Sequence, residues 1–285
     1  MPYTAKKVRI SAAISLGKVC SSLADYSVFT KPWSKVPVPE LIRIVRDLGY
    51  NAIEFPLRDG AQVSPAEAEA KLPGLVRDLK DAGIRIDDVA SSPVEPVFAA
   101  CAASGIPMIR VMYSPPARAE YIAEEGKYLK EVESWTQLCE KYGVKIGLQM
   151  HCGTGACNTA EMMRIVSRFD PKHIGAIWDA GHSGLAGEEC EQAIDIAWSH
   201  LSLVNFKNAR YQMAGRAADG SALFRAYFCP GADGQCSWPR AVEHLKKRGY
   251  KGTWCMPAEY DALNAEDEIA YAKRDLAWLK SLVEG

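Results

Sequence analysis

Eight short apolar segments, each followed by a stretch with helical spacing, run along this 285-residue chain, and no other feature constrains its fold as tightly. Strands are read at VRISAAISL (8–16), NAIEF (51–55), GIRIDDVA (83–90), PMIRVMY (107–113), KIGLQM (145–150), IGAIWD (174–179), LSLVNFK (201–207) and GTWCMPAE (252–259). Helical periodicity fills the intervals, with stops at Gly49 and Gly105. Ser64-Pro65-Ala66-Glu67 supplies an N-cap, a proline at the first helical position and a glutamate at the third. Strands alternating with helices predict a parallel sheet. Eight such units in this length predict an α/β fold of the closed (β/α)8 TIM-barrel kind, as one domain over residues 1–285. The Gly- and Ala-rich stretch at 208–235 is too long for a simple connection and is read as an irregular loop insertion placed to cover a substrate.

Composition narrows the function. Hydrophobic residues make up 48% and charged residues 24%, with a formal net charge of −1. There is no basic run of five or more, which argues against a nucleic-acid groove or a polybasic membrane patch. Nor is there an apolar run of about eighteen residues or an apolar leader in MPYTAKKVRISAAISLG, so a cytoplasmic protein is expected, without membrane partners. The glycine-rich turns match neither a dinucleotide-binding fingerprint nor a P-loop. Nine cysteines are scattered without C-x-x-C spacing and read as reduced packing or loop residues.

In barrels of this kind the chemistry sits at the C-terminal ends of the strands. Alternation puts Gln149, Asp179, Asn205 and Glu259 on the inward face at the ends of the last four strands, with His151 beside Gln149. All four offer oxygen, and two are carboxylates. Four converging oxygens suit a hard divalent cation, Mn²⁺ or Mg²⁺.

Several segments also carry a resemblance. IGAIWDAGHSGLAG resembles the strand-six Asp-x-x-His motif of the xylose-isomerase-like TIM-barrel superfamily, which includes sugar phosphate isomerases and epimerases, inosose dehydratases and the endonuclease IV enzymes. GYNAIEF, CEKYGVKIGLQMH, LSLVNFKNA and GYKGTWCMPAEYD are similar to its second, fifth, seventh and eighth strand regions, so the likeness spans about residues 40–279. The resemblance implies a metal held by Glu, Asp, His and Glu, which fall here on Gln149, Asp179, Asn205 and Glu259. Two of those positions depart from the pattern. His182 keeps its place, Lys207 matches the lysine after the strand-seven histidine, and Asn208 replaces the usual aspartate.

What the resemblance implies is a Mn²⁺- or Mg²⁺-dependent isomerase or epimerase that takes a proton from the carbon next to a carbonyl of a sugar, keto-sugar or cyclitol. Glu259 would be the base, His151 a reserve acid or base, and His182 would bind a substrate hydroxyl or orient Asp179. Lys207 is assigned to the substrate, and so are Glu54 and Arg58, for which a structural ion pair is the alternative. Gln149 cannot titrate, so two-base epimerisation loses one of its bases. A lyase that eliminates from a keto-sugar or inosose, or that cleaves C-glycosides, is therefore the second reading. A non-catalytic partner subunit with a degraded site is the third. The sequence leaves both a homo-oligomer and a hetero-complex open. Five histidines are too few for the three-metal site of the endonucleases.

Overall fold

The computed structural model describes residues 24–261 and 264–285, with nothing said of the Ala265 side chain. Eight parallel strands close a barrel: β1 (Tyr26–Phe29), β2 (Ala52–Pro56), β3 (Arg85–Ala90), β4 (Met108–Val111), β5 (Lys145–Gln149), β6 (Ile174–Asp179), β7 (Leu201–Asn205) and β10 (Trp254–Pro257). Seven of them fall within segments read as strands, with β2 overrunning its segment by one residue, Pro56. The reading at 8–16 lies outside the described residues, and the strand that pairs β2 with β10 is Tyr26–Phe29. YSVF is four residues long and buried throughout, so it shows none of the alternation by which a half-exposed strand is recognised.

The helices form where the apolar spacing allows. In α1 (Val38–Leu48), Leu41, Ile44, Val45 and Leu48 are the buried face. Gly49 ends it with φ 88°, a left-handed conformation that a side chain would strain. The Glu67 carboxylate reaches back to the Ser64 backbone N–H (3.3 Å) and hydroxyl (2.9 Å) ahead of α2 (Ala68–Asp81). There follow α3 (Glu95–Ser104), α4 (Tyr121–Tyr142), α5 (Thr159–Val166), α6 (Ala180–Leu185), α7 (Cys190–Ala197), α8 (Trp238–Lys247) and α9 (Ala265–Glu284).

Most apolar burial lies between strands and helices. There Phe206 meets the rings of Trp178, Trp238 and Trp254 at centroid distances of 6.1, 5.5 and 5.5 Å. A smaller cluster of Met108, Ile177, Leu203 and Cys255 plugs the barrel. Gly147 belongs to this inner layer, since a Cβ on it would lie 2.6 Å from Ile177 Cδ1 and 2.8 Å from Met108 Sδ. One residue-pair further along the same inward faces come Arg110, Gln149, Asp179 and Asn205, which form the floor of the mouth.

The stretch at 208–235 is not irregular. It forms an antiparallel hairpin, β8 (Asn208–Arg216) and β9 (Ala222–Cys229), in register from Asn208↔Cys229 to Met213↔Phe224. Asn208 anchors its base. The amide donates to the carbonyls of Gly231 (2.7 Å) and Cys236 (2.8 Å) and accepts from the N–H groups of Ala209 (3.0 Å) and Cys236 (3.2 Å). An aspartate could not make the two donations.

Candidate active site

A chain of polar side chains crosses the mouth. Glu54 on β2 accepts from Arg110 on β4, and Arg110 also donates to the side-chain oxygen of Gln149 on β5. The Gln149 NH₂ donates to Asp179 Oδ2 at 2.9 Å. Lys207 Nζ, just past β7, lies 3.7 Å from Asp179 Oδ2 and 3.2 Å from Glu259 Oε2. The other Glu259 oxygen is held by Lys31. Glu54, Arg110, Gln149, Asp179, Asn205 and Lys207 are all buried.

Most of the expected residues therefore meet at one site, though some differ in role. Glu54 lines the mouth with its carboxylate paired to Arg110. Arg58 lines both the mouth and a neighbouring cavity of about 580 Å³ walled by Tyr113 and Trp135. Glu259 lies two residues beyond β10, where its backbone N–H donates to Pro257 O at 2.8 Å. Arg110, Lys31 and Asp88 were not singled out in the sequence. The signal for Arg110 was present, as a charge sharing its face with Met108 and Met112 in an otherwise apolar strand.

The histidines sit side by side, with ring centroids 3.9 Å apart. His151 Nδ1 lies 2.8 Å from the Cys152 carbonyl oxygen, an acceptor only, so Nδ1 carries the hydrogen and Nε2 is left with a free lone pair. His182 is the converse. Its Nδ1 accepts the Cys152 N–H at 3.2 Å, leaving Nε2–H as a buried donor with no partner among the described residues. The His182 backbone N–H donates to Asp179 Oδ1 at 3.1 Å, capping α6, so the contact to Asp179 runs through the backbone. Phe228, at the hairpin's base, roofs the site with its ring 5.7 Å from that of His182 and 4.9 Å from Lys207 Nζ.

Charge is unevenly set. Burial raises the carboxyl of Glu54 despite Arg110, and raises that of Asp179 despite Lys207. Asp88, buried beside Glu54, is pushed well above the usual carboxylate range, and both its oxygens lack partners among the described residues, as befits a protonated acid. Burial alone would raise Glu259, but Lys207 and Lys31 together hold it far below the usual range. For Lys207, burial is outweighed by Asp179 and Glu259, which keep it an ammonium. Burial, with Lys207 nearby, lowers His151 to about 4 and takes His182 well below its ordinary value. At neutral pH both imidazoles are uncharged.

Whether Gln149, Asp179, Asn205 and Glu259 suit a divalent ion can be judged from their partners. Asn205 favours one, because both its amide atoms are buried with no hydrogen bond among the described residues. The other three do not. Gln149 turns its oxygen to Arg110 and its NH₂ to Asp179, while Lys207 stands between the two carboxylates an ion would have to bridge. Four cations (Lys31, Arg58, Arg110 and Lys207) already face the carboxylates of Glu54, Asp179 and Glu259. As arranged, the set does not fit a divalent ion. His151, Cys152 and His182 do bring three donor atoms within 4.8 Å of one another, beside the same Lys207.

The xylose isomerase-like TIM barrel family matches residues 92–282, which include the barrel's last five strands and the histidine pair. The chain belongs to this family. Among relatives of known name, an inosose dehydratase of Lactiplantibacillus plantarum is 27% identical over 148 residues, covering 50% of this chain and 49% of its own length. The chain thus spans about half the length of the curated relatives it matches. A 3-keto-D-glucoside 4-epimerase from E. coli superposes with a TM-score of 0.67 at 16% identity, over 90% of this chain and 99% of that one. A xylose isomerase-like barrel protein from Mycobacterium smegmatis, in complex with magnesium, gives 0.69 at 12% identity, over 91% and 96%. At such identities the superpositions speak for the fold alone. Inosose dehydratases are thus among the curated relatives, while the epimerase and the magnesium-bound protein share the fold.

Proposed function

We propose that this family member is an enzyme that removes the proton next to a carbonyl of a keto-sugar or keto-cyclitol, with loss of water from the neighbouring carbon as the outcome. The observation that carries this reading is the one-sided placement of base and cations. His151 offers a free Nε2, Gln149 is locked between Arg110 and Asp179 where the resemblance implies a glutamate, and Lys207 and Arg110 bring positive charge to the same mouth. Glu259, the base expected from the sequence, has both oxygens paired with lysines, whereas His151 Nε2 is unpaired. The inosose dehydratases among the relatives point the same way.

In this reading His151 Nε2 takes the proton as the C–H electron pair moves into an enolate, whose oxygen the Lys207 and Arg110 donors stabilise. The enolate pair then expels the hydroxyl group on the next carbon. The proton held by His151 goes to that hydroxyl, which leaves as water. His182 Nε2–H is the donor for a second substrate hydroxyl, and Arg58 faces the part of the substrate that extends into the larger cavity. A manganese or magnesium ion is not built into these steps, because Lys207 stands on its carboxylates.

Isomerisation or epimerisation is the second reading, favoured by the fold's likeness to the 3-keto-D-glucoside epimerase. The test is to incubate the protein with inosose and with keto-hexoses and follow products by NMR. A dehydrated diketone is expected. A new ketose or epimer with no water lost would establish the second reading, and no change in any substrate would contradict both. His151→Asn should lower kcat by roughly 10²–10⁴-fold, the usual contribution of a positioned base.

A further inference from the structure

We infer that Lys207 takes the place of the divalent ion, so that the barrel mouth works around a resident ammonium and binds no metal. Three observations converge on this. The nitrogen lies within 3.7 Å of Asp179 Oδ2 and 3.2 Å of Glu259 Oε2, the two carboxylates that the resemblance assigns to an ion. Its side chain is 5% exposed, so the ammonium is part of the site rather than a surface charge that has folded over it. The remaining two members of the set are neutral amides where the resemblance implies an anion and an imidazole, and one of them has other partners. Gln149 is bound by Arg110 and Asp179, and Asn205 is a neutral amide.

Charge decides the matter. A divalent ion entering this mouth would meet Lys207, Arg110, Lys31 and Arg58 at short range, and repulsion between like charges in a partly desolvated site far exceeds its value in water. It would also have to displace an ammonium already paired with both of its carboxylates. An ammonium does part of what the ion would do: it pairs with Asp179 and Glu259, offsetting one of their two charges, and presents a positive donor to a developing oxyanion. It differs in offering hydrogen bonds rather than open coordination positions, so it stabilises an oxygen without holding two of them in a fixed chelate.

This inference is independent of the reaction proposed above, because its test reads metal binding and not turnover. The wild-type chain, purified without added metal, is analysed for its elements and titrated with Mn²⁺ by calorimetry and by thermal melting. Lys207→Gln, which removes the ammonium between the two carboxylates, and Lys207→Arg, which keeps the cation, are treated in the same way, with circular dichroism as the check on folding. Wild type and Lys207→Arg are expected to hold no stoichiometric metal and to melt at the same temperature with and without Mn²⁺. Lys207→Gln is expected to gain Mn²⁺ affinity by at least roughly tenfold, or ~1.4 kcal/mol. A wild-type protein that carries about one chelator-removable divalent ion per chain would overturn the inference. So would a folded Lys207→Gln variant that binds Mn²⁺ no better than wild type, since Lys207 would then not be standing in a cation site.

Discussion

Arg110 holds the two halves of the mouth together, with Glu54 on one side and Gln149 on the other. Removing a single partner from so buried a pair leaves an uncompensated charge, so Arg110→Met should cost about 3–5 kcal/mol of stability by denaturant unfolding. A loss below about 1 kcal/mol would show that Glu54 is already protonated without it. The histidines set a pH dependence. With His151 lowered to about 4 and His182 well below its ordinary value, the unfolded chain binds protons that the folded chain refuses once pH drops below the ordinary histidine value. Stability contributed by these rings is therefore complete above that value and declines as pH falls toward 4; melting of wild type against His182→Asn between pH 7 and 4.5 measures it, and equal slopes would contradict the assignment. Of this site, Gln149, Asp179 and Asn205 were legible in the sequence because each ends a strand at an inward position, and Glu259 because it lies just past the last strand. Two of their partners were not, because Arg110 and Lys31 reach the centre on long side chains from a strand and a loop distant in sequence.

Elements divide along the same line. β6 was legible to its last residue, since IGAIWD is bounded by a turn and by the Asp179 cap. Gly147 could be read only as part of a strand, yet it is where the barrel's inner layer closes most tightly. Gly147→Ala should cost about 1–3 kcal/mol from overpacking against Ile177 and Met108, and a neutral effect would mean that Met108 can swing aside. The hairpin escaped the sequence reading because its strands are largely exposed, with Met213 and Phe224 both on the surface, so neither carries the apolar alternation of a buried strand. Its expected covering role, in contrast, is consistent with where Phe228 lies. Phe228→Ala should raise KM several-fold more than it lowers kcat, because the ring covers the site without exchanging a proton; an effect confined to kcat would place it elsewhere in the cycle.

Across the whole molecule, the barrel brings residues from β2, β4, β5, β6, β7 and the loop after β10 into one polar layer above an apolar plug. No helix among the described residues is long and apolar enough to cross a membrane. The mouth itself has about 40 Å³ of open volume, and on the proposed reading the substrate ring extends under Arg58 into the larger cavity with its reacting carbon at His151. Proton transfer at that carbon is the central claim, and exchange with solvent reports it whether the product is dehydrated, isomerised or unchanged. The direct measurement is deuterium incorporation next to the carbonyl when inosose or a keto-hexose is incubated with the protein in D₂O, read by NMR against His151→Asn. The expected result is enzyme-dependent exchange at that one carbon, in substrate or product, lost in the variant while Glu259→Gln retains part of it. Exchange undiminished in His151→Asn, or no exchange at all with any carbonyl substrate, would contradict the account.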